Sequence, residues 1–89
     1  MKNRVLTPDE KEFVDTMTAG LPPVIAREKV KDYTGGLLSP QTLAHSDCRG
    51  NGPAVSFRVG RKVGYQTRSL VEWMVLRFGV SRIANLNSL

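Results

Sequence analysis

Eighty-nine residues at 9.8 kDa make room for one domain, residues 1–89, and a chain this short buries only roughly 60–65% of its unfolded surface, which argues against a large enzyme with an enclosed cofactor cleft. A hydrophobic fraction of 40%, a charged fraction of 24% and a mean hydropathy of −0.23 exclude the disordered and fibrous classes. The formal charge of +5 and pI near 9.9 favour a polyanionic partner, and the excess is uneven: residues 1–47 carry six cations and seven anions, whereas residues 48–89 carry seven cations and only Glu72.

The first element is announced by Thr7-Pro8-Asp9-Glu10. A Thr hydroxyl caps the third helical amide, a Glu there reaches back, and Pro at the first helical position misses no N–H. The helix, about 8–19, ends at Gly20; Phe13, Val14 and Met17 form its apolar stripe, while Asp9, Glu12 and Asp15 face water. It reads as acidic and supportive. Leu21-Pro22-Pro23 breaks it, and a second helix, about Arg27 to Tyr33, aligns Ala26, Val30 and Tyr33 before Gly35-Gly36. Ser39-Pro40 repeats the cap-plus-proline signature and opens a short helix to about Asp47, with Leu43 and Ala44 inward.

Arg49-Gly50-Asn51-Gly52-Pro53 is a loop by composition. Beyond it Val55, Phe57 and Val59 alternate with polar residues, and Val63 and Tyr65 resume the alternation. Pairing Val59 with Val63 across a three-residue loop, Gly60-Arg61-Lys62, puts all five apolar residues on one face. The last helix starts near Thr67 or Ser69, carries Leu70, Trp73 and Met74 on one side, ends around Phe78-Gly79, and covers the hairpin through Trp73. The tail, 80–89, has Ile83, Leu86 and Leu89 at three-residue spacing, open between a further helical turn, a self-association stripe and a frayed end.

Helix, glycine turn, short helix, basic-tipped hairpin and packing helix is the order of a winged helix-turn-helix. The expected fold is therefore α+β: a winged helix-turn-helix core at about 24–78 with a two-stranded antiparallel wing, an extra N-terminal helix and a C-terminal packing helix.

Four runs then carry a family resemblance. Leu38-Ser39-Pro40-Gln41-Thr42-Leu43, Gly50-Asn51-Gly52-Pro53, Phe57 through Tyr65, and Leu70-Val71-Glu72-Trp73-Met74 resemble, in order and spacing, the small excisionase and prophage-regulator group of MerR-type winged helices over about residues 24–75. The resemblance implies sequence-specific duplex DNA binding without catalysis or cofactor. It puts Ser39, Gln41, Thr42, His45 and Arg49 on or beside the recognition helix, and Arg58, Arg61, Lys62 and Arg68 on the wing side. Gln41 suits adenine edges and Thr42 offers hydroxyl or methyl in a major groove, while His45 stays open between base contact and plain solvation. Arg61 and Lys62 are expected at phosphate or in the minor groove, since residues 48–71 hold five cations and no anion. Ala44-His45-Ser46-Asp47 stands where the family places an aromatic and basic residues, and Arg68-Ser69 where it places Ser-Asp. These departures shift affinity towards Arg49, Arg58, Arg61, Lys62 and Arg68, with Asp47 mildly repulsive to phosphate.

No Ser-His-Asp set, paired acidic pocket or phosphate-cradling loop is present, and His45 with Cys48 lacks the partners of a zinc site, so neither catalysis nor a metal is expected. One cysteine rules out an internal disulfide; with no signal-peptide pattern and no bilayer-length apolar run, the cytoplasm is the expected compartment. At this length the favoured role is that of an excisionase-like directionality factor, bending attachment-site DNA beside an integrase and open to cooperative self-association on DNA. The alternatives are a small prophage or plasmid transcription regulator and, from another class, a winged helix that docks an acidic protein.

Overall fold

The computed structural model describes residues 5–83. Its elements are α1 (Pro8–Ala19), β1 (Val24–Ala26), a 3-10 turn (Arg27–Lys29) running into α2 (Val30–Tyr33), α3 (Pro40–Cys48), β2 (Ser56–Val59), β3 (Lys62–Gln66) and α4 (Thr67–Phe78). The architecture is α+β, four helices and an antiparallel sheet ordered β1-β3-β2. Val14, Ile25, Val30, Leu38, Leu43, Tyr65, Leu70, Val71, Met74 and Val75 form the core, so every helix and the central strand contribute to it.

The expected capping box closes α1: Glu10 N donates to Thr7 Oγ1 at 3.2 Å and Thr7 N donates to Glu10 Oε1 at 3.0 Å. Glu10 is also buried, its other oxygen accepting from Val80 N, so the cap joins α1 to the chain that leaves α4. Arg82 completes the clip, its side chain bonding Glu12 and its amide donating to Asp9.

Three expectations about the middle of the chain are corrected. The sheet has three strands: Val24–Ala26, which follows two prolines and is too short to show alternation, pairs with Gln66–Gly64 and makes β3 the central strand. The second helix is a 3-10 turn followed by one α turn, and Tyr33 points outward at 46% exposure, although Val30 is buried as expected. The turn into α3 is fixed by Thr34, whose Oγ1 donates to Val30 O at 2.7 Å and accepts from Leu38 N at 3.1 Å, with Gly35 and Gly36 at positive φ between them.

The hairpin register is the third. Val59 faces Lys62 and Phe57 faces Gly64, so the loop is Gly60-Arg61 alone. Gly60 takes φ 63°, the left-handed geometry that lets two residues close an antiparallel pair without splaying it. Ile25, Val63 and Tyr65 then share the face under the helices, while Phe57 and Val59 turn to the other face at 46% and 72% exposure. Alternation marks two faces and does not say which is covered.

Helix α4 begins at Thr67, where Gln66 provides no side-chain cap; Thr67 N donates to Pro23 O at 2.9 Å and its hydroxyl to Pro22 O, so the double-proline turn holds the helix start. Leu70 and Met74 are buried as expected. Trp73 is half-buried and donates its indole N–H to Asn51 O at 2.6 Å, fastening α4 to the loop after α3. Trp73 also packs against the core that includes Tyr65 of the central strand. Residues 81–83 are not helical and Ile83 is exposed; Leu86 and Leu89 lie outside the described residues. Among the described residues no helix is long and apolar enough to cross a membrane.

Candidate nucleic-acid interface

Helix α3 is positioned by what it buries. Leu43 is fully buried, which leaves Gln41, His45 and Arg49 exposed and Thr42 half-exposed. Thr42, His45 and Arg49 follow one another at i, i+3 and i+7, a single stripe from the first turn of α3 to its C-cap. Ser39 is engaged as the N-cap: its Oγ accepts from Thr42 N at 3.2 Å and lies 2.9 Å from Thr42 Oγ1. Of the five residues expected on this element, Gln41, His45 and Arg49 have no side-chain hydrogen bond or ion pair among the described residues, and Ser39 and Thr42 hold the helix start.

The hairpin tip comes to the N-terminal end of α3. Arg61 and Lys62 line a concavity of about 380 Å³ with Ala26, Arg27, Glu28 and Pro40, so the hairpin tip and the first residue of α3 flank one groove. Lys62 is not free within it: Nζ donates to both oxygens of Glu28, at 2.8 and 2.9 Å, and that ammonium holds the Glu28 carboxyl below the ordinary carboxylate range. Arg49, Arg58 and Arg61 have no ion-pair partner among the described residues.

Arg68, expected on the wing side, does not lie on the hairpin. It sits in the first turn of α4 and reaches α1, 3.2 Å from Asp15 Oδ1, with Glu72 one turn on at 3.7 Å. Together with Arg82 it meets the carboxylates of α1, so two of the seven cations of the basic half neutralise the acidic N-terminal helix within the chain.

Asp47 is likewise absorbed. Its Oδ2 accepts from Arg27 Nη2 at 2.7 Å and from Tyr65 Oη at 2.5 Å, while Arg27 Nε donates to Tyr65 Oη at 2.9 Å. Burial and the bond to Asp47 push the Tyr65 phenol up to about 12; burial opposes ionised Arg27, but its bonds to Tyr65 and Asp47 outweigh that and hold it above its ordinary value. The triangle joins the end of α3 to the 3-10 turn and the central strand, so the carboxylate expected to repel phosphate is paired. Gly52 is part of the fit: a Cβ there would lie 1.8 Å from Asp47 Oδ1.

Sequence reading passed over Arg77. It lies in the last turn of α4 and lines a second concavity, about 300 Å³, with Thr42, His45, Arg49 and Asn51. Its guanidinium rests 5.8 Å from the Trp73 ring centre and 5.5 Å from that of Phe78. The signal was the spacing of Trp73 and Arg77 at i, i+4, which places a cation over an indole on a helix.

Comparison with protein-family models, with curated proteins and with solved structures finds no match to this chain.

Proposed function

We propose that the chain is a sequence-specific duplex DNA-binding protein of the winged helix-turn-helix type, with α3 in the major groove and the β2–β3 hairpin along the backbone. One observation carries the reading: the start of α3, at Pro40, and the hairpin tip flank a common groove, and Arg49 at the end of α3 and Arg58 and Arg61 on the hairpin have no anion to neutralise them among the described residues. Unpaired cations bracketing a polar helix face suit a regularly charged, grooved polyanion. The pairing of Asp47 supports the same reading by removing a repulsive charge.

Within that reading the resemblance to excisionases favours an architectural role, in which the protein binds beside an attachment site and bends it for an integrase. Binding to a mixed-sequence duplex across a salt series tests the first step. The slope of log affinity on log salt should be about −3 to −4, from the three unpaired arginines with or without Lys62 at about −0.9 each. An affinity that ignores salt, or that survives only towards an acidic protein, rejects the proposal. A circular-permutation mobility assay on a selected site tests the bend, and an unbent site rejects the architectural role while leaving duplex binding in place.

A further inference from the structure

We infer that α3 is bracketed by two phosphate-gripping sites, the hairpin tip at its N-terminal end and a second site made by Arg77 with Arg49 at its C-terminal end. The inference rests on the duplex-binding reading and adds a contact that neither the helix-turn-helix nor the wing supplies.

Nine residues at 1.5 Å each make α3 about 13 Å long, and the major groove is about 12 Å wide. Set across such a groove, α3 brings its two ends against the two bordering backbones. At the Pro40 end stand Arg61 and Lys62. At the other end Arg49 caps the helix, and Arg77 reaches in from α4 to line the same concavity with His45 and Asn51.

Arg77 is suited to that task by its surroundings. No carboxylate among the described residues pairs with it, in contrast to Arg27, Lys62, Arg68 and Arg82. It lies over Trp73 and Phe78, whose rings meet edge to face at 6.2 Å, so its stem is ordered before any ligand arrives and less entropy is lost on binding. A guanidinium held in this way can give two parallel N–H bonds to one phosphate. The Trp73 bond to Asn51 O fixes α4 against the α3 loop, which keeps Arg77 and Arg49 in one concavity.

The test compares wild type, Arg77→Gln, Arg77→Lys and Arg61→Gln on a mixed-sequence duplex of about 20 base pairs over a salt series. Arg77→Gln is expected to weaken binding about fivefold to tenfold near 0.1 M salt and to lower the slope by about 0.9, while Arg77→Lys keeps the slope. If Arg61→Gln lowers affinity and slope while Arg77→Gln matches wild type, the second site is wrong and the duplex-binding reading stands. If wild type binds no duplex, that reading fails and the second site with it. Should Arg77→Gln melt early, ethylation interference with the wild-type protein on a duplex selected from a random pool decides: interfering phosphates on both strands bordering one major groove support the inference, and interference on the wing side alone overturns it.

Discussion

The phenol of Tyr65 donates to Asp47 Oδ2 at 2.5 Å, joining the central strand of the sheet to the last turn of the helix that carries the candidate reading face. Arg27 closes the triangle from the 3-10 turn. Three segments far apart in sequence are thereby set relative to one another by one buried ring and one carboxylate.

Removing the hydroxyl with Tyr65→Phe should cost about 1–3 kcal/mol, because Asp47 keeps only Arg27. The pH dependence has a definite sign. The folded-state value of about 12 lies above the ordinary 10, so the neutral phenol is favoured by folding; its contribution is complete below pH 10 and lost as pH rises through 12. Wild type should lose about 2 kcal/mol more than Tyr65→Phe over that window. Urea denaturation of both proteins at a series of pH values measures the difference, and parallel curves would show that the phenol is not coupled to folding.

Gly52→Ala should destabilise through the same triangle. The new methyl would fall on Asp47 Oδ1, and a carboxylate that moves to make room strains the bonds its Oδ2 accepts from Tyr65 and Arg27. A cost of about 1–3 kcal/mol is expected. Since both changes break one network, Gly52→Ala and Tyr65→Phe together should cost less than the sum of the two, which a double-mutant cycle on melting midpoints reads directly. Additive costs would separate the glycine from the triangle.

What the sequence made legible were the features that local chemistry decides. Thr7 and Ser39 cap helices because hydroxyl, proline and helical amides lie within four residues of one another, and Leu43, Leu70 and Met74 are buried where helical spacing puts them. What it concealed depends on partners distant in the chain. Val24–Ala26 becomes a strand only because β3 offers it an edge, and Phe57 is exposed because the helices cover the opposite face. At the site the same division holds: the α3 stripe could be read from spacing, whereas Arg68 and Lys62 looked free until α1 and Glu28 were seen beside them. Asp47 looked repulsive for want of Arg27 and Tyr65.

Glu28→Gln should strengthen duplex binding. As an exposed pair, Glu28 and Lys62 should contribute little to stability, and the melting midpoint should move by a degree or two at most. Releasing Lys62 into the groove it lines with Arg61 removes a competing anion and adds a cation for phosphate. Affinity is expected to rise severalfold at low salt, with the salt slope steeper by about 0.9. Unchanged affinity and slope in a titration by fluorescence anisotropy would place Lys62 outside the contact.

Reading and holding should separate along α3 and the hairpin. Gln41 is exposed and its amide has no partner among the described residues, so Gln41→Ala should cost about 1–3 kcal/mol on a selected site and almost nothing on random duplex. Thr42→Ala belongs to a different class than its position suggests: its hydroxyl lies against Ser39 Oγ at the N-cap, so part of its effect should appear as a lower melting midpoint. Arg61→Ala should weaken all duplexes alike and flatten the salt slope by about one unit if it holds phosphate. If it enters the minor groove instead, A·T-rich flanks should suffer most, because the narrow groove there concentrates negative potential. A panel of duplexes varying only in the flanks resolves the two roles. Should Gln41→Ala weaken every duplex equally while Arg61→Ala weakens only the selected site, the roles of helix and hairpin are reversed.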